Sequence, residues 1–154
     1  MKPTFFPTSA AFRLWLEQNH ATVGELRIGF YKKASGKIAM TYQEAVLESL
    51  CFGWIDGIVN RLDAESYMHR FTRRKPASTW SNINVAHVAR LSAAGKMHPA
   101  GLAAFQARST AKTGIYSFER KTPPQLAPAA EKAFRSNRKA WEFFQAQPPW
   151  YRRT

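Results

Sequence analysis

The sequence predicts an α+β fold, with a small antiparallel sheet of at least three strands packed by helices and a helical C-terminal part. Three observations predict it. Residues 25–31, ELRIGFY, alternate with the two-residue period of a strand. Two further extended runs, 54–60 and 66–73, are joined by the short polar piece Leu62-Asp63-Ala64-Glu65 and read as antiparallel neighbours. Apolar residues three and four apart mark helices before, between and after these runs. A sheet covered by helices on one side buries one face of each strand and the apolar stripe of each helix, so both requirements are met together.

The first helix is expected from Thr8 or Ser9 to Asn19, with Phe12, Trp15 and Leu16 on one face. The strand Glu25 to Tyr31 directs Leu26, Ile28 and Phe30 to one side, and Ser35-Gly36-Lys37 then turns the chain. Thr41-Tyr42-Gln43-Glu44 is a capping box, in which Thr41 accepts from the third helical amide and Glu44 returns a bond. It opens a helix with Ala45, Val46, Ser49 and Leu50 along one side. After the two strands, Ser81 caps a helix that carries Ile83, Ala86 and Ala89 on one face and ends near Gly95. Pro99 suits the first position of the next helix, which bears Leu102 and Phe105. Lys112 to Pro128 is irregular: Pro123-Pro124 argues against a continuous helix, and Ile115, Tyr116 and Phe118 read as an arm packed on the rest. A helix follows Pro128, and Asn137 caps another with Ala140, Trp141 and Phe144.

With 154 residues, 45% hydrophobic and 14% aromatic, the chain has material for one packed domain, 1–154, whose sheet-containing part is 1–80 and whose mainly helical part is 81–154. That composition excludes disorder, a collagen-like chain and a disulfide scaffold. Cys51 is the sole cysteine, so no intramolecular disulfide forms, and its apolar neighbours give it the role of a small buried hydrophobe. Arg13 and Glu17 interrupt the N-terminal apolar residues, and no stretch approaches the 18 or so uncharged residues of a spanning helix. Neither a signal segment nor a membrane span is expected, and residence in the cytoplasm is. The net charge is +13, distributed unevenly: residues 1–60 carry +1 and residues 61–154 carry +12. Such a field speeds encounters with anions without choosing among them.

The densest chemistry lies in CFGWIDG at 51–57 and RFTRRK at 70–75. On a regular strand Trp54, Asp56, Ile58 and Asn60 share a face, and Asp56 is placed to orient Arg70 or Arg73 on the facing strand for an anion. A partly buried ion pair that locks strand register, with Trp54 in the core, is the competing account. Arg73, Arg74 and Lys75 are expected at the surface. Gly53 and Gly57 form no phosphate loop, since neither GxxxxGK[ST] nor GxGxxG occurs. Trp80 and the Ser81 cap follow directly, and the free amides of the helix that Ser81 opens favour an anion near the basic hairpin. His20, His69, His87 and His98 have no metal-ligand spacing, and no cofactor motif occurs. Nucleic acid is the alternative partner, with Arg70, Arg73, Arg74, Lys75, Arg90 and Lys96 on phosphates and Trp54, Trp80 or Tyr67 on bases, although no finger, homeodomain, KH or RRM signature is present.

The ordered segments ELRIGFYKK, TYQEAVLESLCFGWIDG, SYMHRFTRRK, WSNIN and GKMHPAGLAAF resemble the bacteriocin-protection, OmpD-associated bacterial family, also called YdeI-like. The resemblance implies a small α+β protein linked to envelope stress or resistance to antibacterial peptides, and it carries no enzymatic reaction with it. It implies that Trp54, Asp56, Arg70, Arg73, Lys75, Trp80, Ser81 and Asn84 line any common ligand site. Arg74 stands where such proteins commonly have proline, and they usually continue into a further helix beyond Thr154, which leaves a homo-oligomer open. The resulting expectation is a non-enzymatic accessory protein, without a cofactor, that binds an anionic small molecule, a peptide or a protein at these residues. A weak nucleic-acid-binding protein is the alternative.

Overall fold

In the computed structural model, which describes residues 2–119 and 125–153, the fold is α+β. Helix α1 (Ser9–Asn19) precedes strand β1 (Glu25–Tyr31), and helix α2 (Tyr42–Cys51) leads into strands β2 (Trp54–Arg61) and β3 (Ser66–Arg73). Helices α3 (Asn82–Ala93), α4 (Pro99–Gln106), α5 (Pro128–Ser136) and α6 (Arg138–Ala146) follow. Local chemistry sets many of these boundaries. Thr8 Oγ1 accepts from Ala11 N–H at the head of α1, and both halves of the Thr41/Glu44 capping box form at the head of α2. Ser81 caps α3, Pro99 opens α4, Pro128 opens α5, and Asn137 caps α6. Pro123-Pro124 lies outside the described residues. No helix of the described residues is long and apolar enough to cross a membrane.

The three strands are antiparallel in the order β1-β3-β2, so β3 is central. Asp63 shapes the turn between β2 and β3: its Oδ1 accepts from Glu65 N–H and Ser66 N–H, each at 2.7 Å, and its Oδ2 accepts from Ser66 Oγ. The chain enters β2 through Gly53, whose φ of 73° is one that other residues rarely adopt. Thr4 extends the sheet by one parallel bridge to Ile28 on the free edge of β1.

One face of the sheet is covered. Leu26, Ile28, Phe30, Phe71 and Trp54 point into a core completed by Phe12 and Leu16 of α1, by Ala45, Val46 and Leu50 of α2, and by Val88 and Leu91 of α3. Full burial of each large side chain contributes about 1.5–3 kcal/mol. On α3 the buried stripe is Val88 and Leu91, whereas Ile83, Ala86 and Ala89 face outward, because the helix packs on α2 with its other side. No residue from 125 to 153 belongs to that core. Helices α5 and α6 pack on each other through Phe134, Trp141 and Phe144.

The regular alternation expected along β2 breaks at a bulge between Asp56 and Val59. Trp54 and Asp56 lie on the covered side with Phe71, but beyond the bulge Asn60 faces Met68 on the other side. The extra residue reverses the faces, so Trp54, Asp56, Ile58 and Asn60 do not form a single set.

Candidate functional site

Asp56 sits on the covered face of β2, beneath the first turn of α2. Its Oδ2 accepts a hydrogen bond from the Tyr42 hydroxyl at 2.6 Å. Burial first, and then this carboxylate, push the Tyr42 phenol well above the usual tyrosine range, so it stays a donor. The Tyr42 ring stacks on His69 of β3 with centroids 4.4 Å apart. Burial holds His69 below its ordinary value despite the nearby Asp56 charge, and its Nδ1 is buried with no hydrogen-bond partner among the described residues.

Tyr42 and Asp56 form one side of a cleft of about 430 Å³ between α2 and α3. Ser81, Asn84 and His87 line the other side, and Gln43 stands at the rim. Tyr116 and Phe118, stacked with centroids 5.4 Å apart, form an aromatic wall. The wall belongs to a strap that starts where Trp80 N–H donates to Lys112 O and Gly114 N–H donates to Trp80 O. It ends at Glu119, whose carboxylate accepts from Asn82 N–H at the start of α3. The helix terminus expected to attract an external anion is thus occupied by the chain's own carboxylate, in a position that the helix dipole favours.

Of the eight residues singled out in the sequence, Asp56, Ser81 and Asn84 line this cleft. Ser81 Oγ accepts from Asn84 N–H, as a cap does. Trp80 is 1% exposed and lies behind the cleft rather than in it. Trp54 is wholly buried, meeting the Trp15 ring edge-on and donating from Nε1 to His20 O at 3.4 Å.

The expected pairing of Asp56 with Arg70 or Arg73 does not form. Asp56 is in register with Phe71, so the preceding residue, Arg70, points to the opposite face and pairs with Glu25 at 2.8 Å. Arg73 reaches out to the carbonyl of Ala21. Lys75 is exposed, and its backbone N–H donates to Ser78 Oγ.

Arg74 departs from the expected surface position. Its guanidinium lies 3.7 Å from the centre of the Trp80 ring and donates from Nη1 to Thr79 O. Its Nε and Nη2 are buried with no hydrogen-bond partner among the described residues. Burial lowers its pKa to about 10, with the Asp56 and Tyr116 charges acting in the opposite sense. Stacking on an indole offsets part of the cost of holding a cation there.

Sequence reasoning missed Tyr42, His87, Phe118 and Glu119 as parts of a site. The capping box places Tyr42 at the first position of α2, the one local signal that pointed to it. Glu119 meets α3 across 37 positions of chain, and nothing local announces such a contact.

The arrangement offers a carboxylate, a phenol and two amide side chains around an aromatic wall, and Asp56 is the one Asp, Glu, Lys or Arg among the lining residues. Among the described residues no three His, Cys, Asp or Glu side chains converge to hold a metal ion. Neither the curated proteins nor the solved structures contain a match to this chain. A family described as a domain of unknown function, DUF8412, matches residues 4–104, which contain the core, Tyr42, Asp56, Ser81 and Asn84, and the chain belongs to that family.

Proposed function

We propose that the protein is a non-enzymatic binding module whose cleft between α2 and α3 takes a peptide-like partner. The observation that carries this reading is the Asp56 carboxylate, held by the Tyr42 hydroxyl in a cleft whose lining includes no Lys or Arg. A carboxylate in partly desolvated surroundings favours a ligand that brings N–H or O–H donors, and it disfavours an anion. Asn84 and Gln43 offer amides to a peptide backbone, and the Tyr116–Phe118 wall offers a flat apolar surface to a side chain. The basic charge of the chain attracts anions in general, but its arginines at 70 and 73 engage Glu25 and Ala21 away from this cleft, and Arg74, near enough to feel the Tyr116 and Asp56 charges, is stacked on Trp80 outside the lining. The resemblance drawn from the sequence implies envelope stress or antibacterial-peptide resistance as the setting in which to seek the partner.

The test is a titration of isotope-labelled protein, followed by amide chemical shifts, with a neutral tetrapeptide, a cationic antibacterial peptide and inorganic phosphate. Peptide binding is expected to move the amides of Tyr42, Asn84 and Tyr116 and to weaken at least tenfold in Asp56→Ala. Phosphate that moves the same amides more tightly than either peptide, or unchanged peptide binding in Asp56→Ala, overturns the reading.

A further inference from the structure

The opposite face of the sheet, where Ile58 and Arg70 are exposed, carries a different chemistry. On this side of β1 and β3, Arg27 stands directly across from Arg70. Like charges at directly opposed sheet positions are destabilising. Glu25 lies between them, 2.8 Å from Arg70 and 3.5 Å from Arg27. Two guanidiniums and one carboxylate sum to one positive charge, and the two arginine side chains are 35% and 47% exposed. Beside it runs a groove of about 350 Å³ lined by Arg27, Ile58, Asn60, Met68 and Arg70. The bulge in β2 matters here, since beyond it Asn60 faces this side of the sheet.

An aromatic pair adjoins the groove. Phe5 lies over Gly29, where a Cβ would collide with its ring, and it stacks on Tyr31 at 4.8 Å. Gly29 in turn sits across from Met68, so the pair borders the groove through that residue. Thr4 holds this N-terminal segment in place by donating to Arg27 O and accepting from Gly29 N–H.

We propose that this opposite sheet face binds single-stranded nucleic acid, with Arg27 and Arg70 on one phosphodiester, Asn60 toward a base edge, and Phe5 as the stacking surface for a neighbouring base. Paired guanidiniums match the two free oxygens of a phosphodiester, and aromatic rings on an open sheet accept bases of any sequence. The net charge of +13 supplies the long-range attraction. This surface is separate from the cleft and does not depend on what the cleft binds. Of the cations named in the sequence for a nucleic-acid role, it uses Arg70 alone.

Fluorescence anisotropy with labelled oligouridylate and oligodeoxythymidylate tests it, on variants whose circular dichroism and melting match the parent. Saturable binding to either strand is expected, weakening roughly threefold between about 50 and about 200 mM salt for the one phosphate that Arg27 and Arg70 neutralise together. Arg27→Ala with Arg70→Ala should weaken it at least tenfold and Phe5→Leu severalfold. Ile58 is 66% exposed, so Ile58→Glu adds a negative charge to the groove with little loss of packing and serves if the arginine variant does not fold. Absence of saturable binding, or parental affinity in both the arginine and Ile58→Glu variants, overturns the proposal. So does displacement by polyphosphate charge for charge with no effect of Phe5→Leu, which marks a general attraction of anions.

Discussion

The Tyr42 hydroxyl donates to Asp56 Oδ2 at 2.6 Å and so ties the first turn of α2 to the β-strand beneath it. A carboxylate in a half-buried position needs such a donor, and a hydrogen bond to a charged group contributes about 1.5–3 kcal/mol.

Tyr42→Phe is expected to cost about 1.5–2 kcal/mol in urea unfolding, the lower part of that range because the pair is only partly buried. The loss should be much smaller on an Asp56→Ala background, which offers the Tyr42 hydroxyl no side-chain acceptor, since one bond cannot be lost twice. The pH dependence has a defined sign. The folded protein holds the Tyr42 proton above the ordinary value of 10.0, so this contribution is full below that value and declines as pH rises through the folded one. Tyr42→Phe should lack that alkaline decline.

His98 gives the opposite limb. Its Nδ1 accepts from Ala100 N–H at the head of α4, and its ring lies 4.6 Å from that of His20. Burial, followed by His20 and Arg13, lowers its pKa below 6.5, so the unfolded chain takes up the proton first. Stability from the neutral ring is therefore complete above pH 6.5 and is lost as pH falls through the folded value. His98→Asn preserves a capping acceptor and should flatten this acid limb in melting curves recorded across that range.

Arg74 sets cation–π attraction and one hydrogen bond against two buried N–H groups that lack partners among the described residues. Because these terms nearly cancel, Arg74→Met should stay within about 1 kcal/mol of the parent in urea unfolding. Arg74→Ala should cost about 2–3 kcal/mol, since it also uncovers the Trp80 ring. A loss in Arg74→Met as large as that in Arg74→Ala would show that the charge, rather than the packing, stabilises the fold.

What was legible in the sequence is what neighbours within a few residues determine. Thr41, Ser81 and Asn137 announced their helices through side chains that satisfy nearby amides, and the alternation in 25–31 matched β1 at both ends. The bulge after Asp56 was not legible, because an unpaired residue in a strand is set by the partner strand. Once it is present, the inferred face of Ile58 and Asn60 is reversed. The burial of Arg74 was hidden for a related reason: a basic run reads as surface unless an indole is known to lie beneath one member. The partner expected for Asp56 was Arg70 or Arg73, and it is Tyr42: Arg70 is one residue from the register position, which changes the face of a sheet, while Arg73 shares the face of Asp56 but reaches Ala21 O instead.

The cleft draws its parts from two regions of different standing. Tyr42, Asp56, Ser81 and Asn84 fall within the segment 4–104 that defines the family, whereas Tyr116, Phe118 and Glu119 lie after it. Under the proposed reading, the segment 4–104 contributes the polar groups that would meet a peptide backbone, and the strap contributes the surface that would meet its side chains. Substitution within 113–119 can then change ligand preference while the sheet, its core and the Tyr42–Asp56 bond stay as they are. Divergence in selectivity needs no redesign of the domain that carries it.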